Sequence, residues 1–160
     1  MAAFSAVLVS TLLILYIWAA ERRLARFVVF ATIVSSVLTV AAFLAEEKIY
    51  IKIQPSLFNF CFSAVLLGGL LTGRSMMREF FKSQFDLPDW VWFQLSLRWG
   101  LFFALATVAN EWAWRGLSDD DWVSFRVLVM APATGVFMLA QLPITMRGIR
   151  EETAAMRHAD

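Results

Sequence analysis

Residues 127–146, VLVMAPATGVFMLAQLPITM, run from just after Arg126 to just before Arg147 without a single ionisable side chain. At about 1.5 Å of rise per residue, a helix over this window is about 30 Å long, the thickness of a bilayer's hydrocarbon core. Comparable charge-free windows lie at 1–20, at 27–45 between Arg26 and Glu46, and at 53–73 between Lys52 and Arg74, and a further one at 90–110 is interrupted by Arg98. The reading is all-α: a polytopic membrane helical bundle forming a single integral membrane domain. Its five transmembrane helices are expected at about 2–20, 27–45, 53–73, 90–110 and 124–146, with a tail at 147–160.

Composition agrees. The chain has 160 residues, 60% hydrophobic and 17% charged, with a mean hydropathy of +0.67. A soluble domain of this size has too little core to hide that much apolar area. Five spans also leave no room for a large extramembrane domain. No long basic run offers a nucleic-acid patch. A lone cysteine, Cys61, cannot form an intrachain disulfide, and His158 is the only histidine. The first window has no Lys or Arg ahead of it and reads as a span, not as a cleaved secretory signal.

Orientation follows from the basic residues of the short connections. Arg22, Arg23, Arg26, Arg74, Arg78, Lys82, Arg147, Arg150 and Arg157 fall on one side, and Lys48, Lys52 and Arg115 on the other. The first side is therefore expected in the cytoplasm with the C-terminus, and the N-terminus outside. Trp90, Trp92, Trp112, Trp114 and Trp122, with Tyr16 and Trp18, fall at the expected headgroup levels as aromatic belts.

Between the third and fourth windows, Met76, Met77, Phe80, Phe81 and Phe85 recur at helical spacing, with Arg78, Glu79, Lys82 and Ser83 on the other face. The pattern predicts a short amphipathic helix. It either lies in the headgroup layer as a candidate docking face or folds its apolar side onto the bundle. Leu87-Pro88-Asp89 then stops that helix and starts the next.

Arg98 is the costliest residue to place, about +2.5 to +3.5 kcal/mol at mid-membrane on insertion scales. It reads as a snorkelling anchor near Gln94, Asp86, Asp89 and Gln141, or else as a contact for a lipid phosphate or partner helix. A second polar set, Asn59, Asn110, Glu111, Asp121, Trp122 and Arg126, is expected at one depth on the outer side. Its spacing allows a Glu111–Arg115 ion pair and an Arg126–Trp122 cation–π contact, each four residues apart. The set reads as a clamp between two helices or as a polar pocket. Gly69 and Gly73 form a G-x-x-x-G pair that serves packing within the chain or a homo-oligomer, and Pro132 predicts a kink.

No metal-ligand, nucleophile or phosphate-loop motif occurs, so no catalytic residue, metal or cofactor is expected. A transporter's repeated halves are not visible, although a small transporter or oligomeric channel for a lipid-linked or small polar molecule stays open.

Several words in the chain are specific in combination. They are Ile51-Lys52-Ile53-Gln54-Pro55 running into Asn59-Phe60, Leu66-Leu67-Gly68-Gly69, Leu87-Pro88-Asp89-Trp90, and Leu97-Arg98-Trp99-Gly100-Leu101-Phe102-Phe103. Further on come Asn110-Glu111 with Trp114-Arg115, Asp121-Trp122-Val123 with Phe125-Arg126-Val127, and Ala140-Gln141-Leu142-Pro143. From Lys48 to Pro143 the chain resembles the intracellular septation protein A family of Gram-negative bacteria. Members usually begin with a further short apolar segment ahead of the first full span, a pattern from which this chain, opening at Met1, departs. The resemblance implies a five-span inner-membrane protein supporting septation, cell elongation and envelope integrity. It implies membrane lipids and the cell-wall elongation and division machinery as partners, and no enzymatic activity. It draws attention to Arg98, Asn110, Glu111, Asp121, Trp122 and Arg126 without giving any of them a role.

Overall fold

The computed structural model describes residues 26–44, 48–84 and 86–159, with side chains placed for 29–40, 49–84 and 86–157. The expected first span at 2–20 and the side chain of Phe85 lie outside these residues. Among the described residues every regular element is helical: α1 (Arg26–Leu44), α2 (Lys48–Leu71), α3 (Met76–Phe81), α4 (Asp89–Gly116), α5 (Asp119–Phe125), a π-helical turn (Arg126–Met130), α6 (Ala131–Ala140) and α7 (Leu142–Ala159). Among the described residues three rods, Ile49–Leu71, Asp89–Gly116 and Asp119–Arg157, are long and apolar enough to cross a membrane, and α1 is apolar throughout Val29–Val40, the part of it whose side chains are described. Helices are the form such sequences take in lipid, because every backbone polar group is then satisfied within its own segment.

The α2–α4 pair is the spine. Gly100 lets the two backbones close: a Cβ there would stand 2.6 Å from Leu67 Cδ2. In that gap the Ser63 hydroxyl donates to the Gly100 carbonyl at 2.9 Å. Between membrane helices, close packing and such bonds replace the hydrophobic effect as the source of association. Phe62, 1% exposed, centres an aromatic cluster with its ring 5.0 Å from Phe30, 4.7 Å from Phe58 and 5.3 Å from Phe103. Gln54 donates to Thr39 at 3.1 Å, tying α1 to α2.

Gly73 corrects the reading of the small-residue pair. Helix α2 ends at Leu71, and Gly73 has φ of 74°. The Arg74 amide donates to the Gly69 carbonyl at 2.8 Å and the Gly73 amide to the Leu70 carbonyl at 3.0 Å. That is a Schellman cap, which needs a residue at ease in the left-handed region. Gly73 therefore stands beyond the helix, and Gly69 is covered by Met76, whose Cγ lies 2.3 Å from where a Cβ would be. The two glycines do not form a helical face.

Helix α3 is six residues long, shorter than its periodicity suggested, and lies on the bundle. Ser75 does not cap it with its side chain. Instead the buried Ser96 hydroxyl of α4 accepts from the Met77 amide at 3.2 Å. Phe80 is buried and stacks on Phe30 with centroids 5.6 Å apart. Met77 and Phe81 pack on the Leu87, Val91, Trp92 and Leu95 cluster.

The last rod departs from regular α-helix beside each of its two prolines. Pro132 has no N–H, and its ring crowds the carbonyl four residues back. The backbone widens just ahead of it, so that the Ala131 amide reaches the Arg126 carbonyl, five residues earlier. Near Pro143 the ladder breaks at Gln141, whose amide turns to the Met138 carbonyl at 3.1 Å. Residues 147–159 of the expected tail continue from this break within helix α7, and residue 160 lies outside the described residues.

Candidate functional site: a polar seam beneath the last helix

The seam is built around Asn110, on the last turns of α4 and 3% exposed. Its amide nitrogen donates to the Lys52 carbonyl at 3.0 Å and to Ser56 Oγ at 2.8 Å. Its oxygen accepts from the Trp122 indole at 3.2 Å. One side chain thus holds α2, α4 and α5. Pro55 lies inside α2 between these contacts and, having no N–H, leaves the Ile51 carbonyl without its ordinary helical donor.

Polar contacts outside Asn110 brace the same end. Lys52 pairs with Asp119 across the chain, and Arg115 with Glu111 at 3.0 Å. Ser118 caps α5, accepting from the Asp121 amide at 3.2 Å and donating to the Asp121 carboxylate at 2.7 Å. Asp119, Asp120 and Asp121 occupy the first turn of α5, where negative charge suits the helix dipole. The Arg126 guanidinium lies 5.0 Å from the Trp122 ring centroid. The sequence-selected residues Asn110, Glu111, Asp121, Trp122 and Arg126 are therefore gathered at one end of the bundle.

Beneath this end, between α2, α4 and the π-turn, is a cavity of about 560 Å³. Gln54, Asn59, Asn110, Arg126 and Thr134 give it polarity, and aromatic residues including Phe58, Phe102 and Phe103 give it apolar walls. Asn59, Asn110 and Arg126 of the candidate set line it. Sequence reasoning missed Gln54, Ser56 and Thr134. Only the Ile51–Asn59 word, which carries Gln54, hinted at any of them.

Arg98 belongs elsewhere. Its guanidinium meets Gln141 Oε1 at 3.5 Å, the outer edge of hydrogen bonding. Gln141 in turn donates to the Phe137 carbonyl at 3.0 Å, replacing the backbone donor lost at the break. Asp89, expected near Arg98, is held by Arg78 at 2.8 Å. At the far end of the rod, the Arg147 guanidinium covers the Trp90 ring at 5.3 Å and pairs with Glu151 at 2.8 Å, while the Trp90 indole donates to Glu151 at 3.1 Å. The Arg147 hydrogen bond is the main cause that holds the Glu151 carboxyl below its ordinary range.

The family description intracellular septation protein A matches residues 1–152. Similar proteins named inner membrane-spanning protein YciB occur in Sinorhizobium fredii, 37% identical over 86% of this chain and 66% of that protein, and in Rhizobium meliloti, 36% identical over 97% and 71%. A third, from Brucella anthropi, is 46% identical over 61% of this chain and 44% of its own length. The chain thus spans about two thirds of the length of the first two relatives. No solved structure matches.

Proposed function

The chain belongs to the intracellular septation protein A family and is an inner-membrane protein linked to septation; from that premise we propose that it works without catalysis, as a scaffold for membrane proteins that build and divide the cell wall. The observation that carries this reading is the last rod. Asp119–Arg157 is 39 residues long, about 58 Å of helix against a hydrocarbon core of about 30 Å. It is fastened at one end by Trp122 and Asn110 and at the other by Trp90, Arg147 and Glu151. Of its most apolar window only 6% is buried, leaving Val129, Val136 and Leu139 outward. A pinned helix with an open apolar face suits a transmembrane partner, and its overhang suits contact beyond the bilayer. The bias of basic residues supports an N-terminus in the periplasm, a C-terminus in the cytoplasm and five passes.

Photo-crosslinking side chains placed at Val129 and Val136 of a functional copy in living cells test the proposal, with Phe62 as the interior control. Adducts with cell-wall elongation or division proteins from the two outer positions are expected. Adducts with lipid alone would overturn it.

A further inference from the structure

Two groups on the cavity wall keep unused hydrogen-bonding capacity. Arg126 makes no ion pair among the described residues, and Asn59 makes no hydrogen bond among them. A guanidinium offers five donors and no acceptor, and a primary amide offers two donors. The other amides lining the space are engaged, Asn110 with Lys52 and Ser56, and Gln54 with Thr39. What is missing is therefore an acceptor-rich anion. Below these donors the wall turns apolar at Phe58, Phe102, Phe103 and Met130.

We propose that this cavity binds an anionic phospholipid, its phosphate held by Arg126 and Asn59 and one acyl chain lying along the aromatic wall. Depth agrees. Arg126 is seven residues after Asp119, which pairs with Lys52 at the polar end, so it lies about 10 Å along the helix from that end. A long side chain spans the remaining distance to a headgroup. The π-turn that begins at Arg126 widens the helix at this wall, and such turns recur at functional sites. Charge complementarity selects a lipid with net negative charge over a zwitterionic one, because no described carboxylate lines the space to repel it or to pair with a choline.

The test is native mass spectrometry of the purified full chain with phosphatidylglycerol, with phosphatidylcholine, and with inorganic phosphate alone. Preferential retention of phosphatidylglycerol is expected, about tenfold weaker in Arg126→Gln and only partly restored in Arg126→Lys, which keeps the charge but loses the planar fork. If Arg126→Gln fails to fold, Thr134→Trp fills the cavity while leaving the cation, and it too should lose the lipid. Equal retention of the two lipids, or retention unchanged in both variants, would overturn the proposal. Inorganic phosphate competing as well as the lipid would overturn the choice of occupant in favour of a small anion.

Discussion

The Trp122 indole donates to the side-chain oxygen of Asn110 at 3.2 Å, with both residues almost fully buried. This bond, made twelve positions apart in sequence, fixes where the last rod leaves the α4 helix and so sets the roof of the cavity.

Replacing Asn110 with Leu removes the partner of three groups at once and leaves the indole donor buried. A loss of about 2 kcal/mol is expected, against about 0.6 kcal/mol for Trp122→Phe, the average for one interhelical bond in a membrane. Reversible unfolding in mixed micelles measures both, and equal small losses would show that the hub does not bear on stability.

Glycines make a contrasting pair. A Cβ at Gly100 would run into Leu67, whereas one at Gly68 meets nothing within 4 Å. Gly100→Ala should destabilise by about 1–3 kcal/mol, and Gly68→Ala should be neutral or gain up to about 1 kcal/mol of helix propensity. Thermal unfolding of the two variants checks the order, which a loose α2–α4 contact would reverse.

Much of the seam's local geometry was legible in the sequence, and its long-range geometry was not. Glu111 with Arg115, and Trp122 with Arg126, sit four apart on a helix, so spacing alone brings them together. Asn110 reaching the Lys52 carbonyl depends on how two helices cross, which no local pattern encodes. Gly73 looked like a helical position because it closes the charge-free window that runs to Arg74, and only the cap geometry shows that the helix has ended. The face of Met77, Phe80 and Phe81 was legible as apolar, but periodicity does not say what covers it. Here Phe30 and the cluster of Leu87, Val91, Trp92 and Leu95 do.

Among the described residues the Arg98 guanidinium hydrogen-bonds only Gln141, at long range. Arg98→Lys should therefore leave septation intact, since any snorkelling cation serves there. Gln141→Leu should cost about 1 kcal/mol, because the Phe137 carbonyl loses its donor. A septation defect in cells carrying the Lys variant at normal membrane levels would instead mark Arg98 as a bidentate ligand site.

Glu151 gives the far fastening a pH dependence. Its carboxyl is held below its ordinary value near 4.5, so the charged form is favoured in the docked state. The contribution is present above that value and is lost as pH falls through the lower, docked-state one. Hydrogen exchange of the 147–157 backbone should rise only below about pH 4.5 in the wild type, and be raised at neutral pH in Glu151→Gln. A pH-independent profile in the wild type would remove the carboxylate from the fastening.

The most direct test of the scaffold is septation itself, scored by cell length in a strain that lacks its own copy and carries Val129→Trp with Val136→Trp. The two changes alter only the outward face of the last rod. The account predicts normal membrane levels and normal stability with elongated, poorly dividing cells. Normal division with that face rebuilt would contradict it.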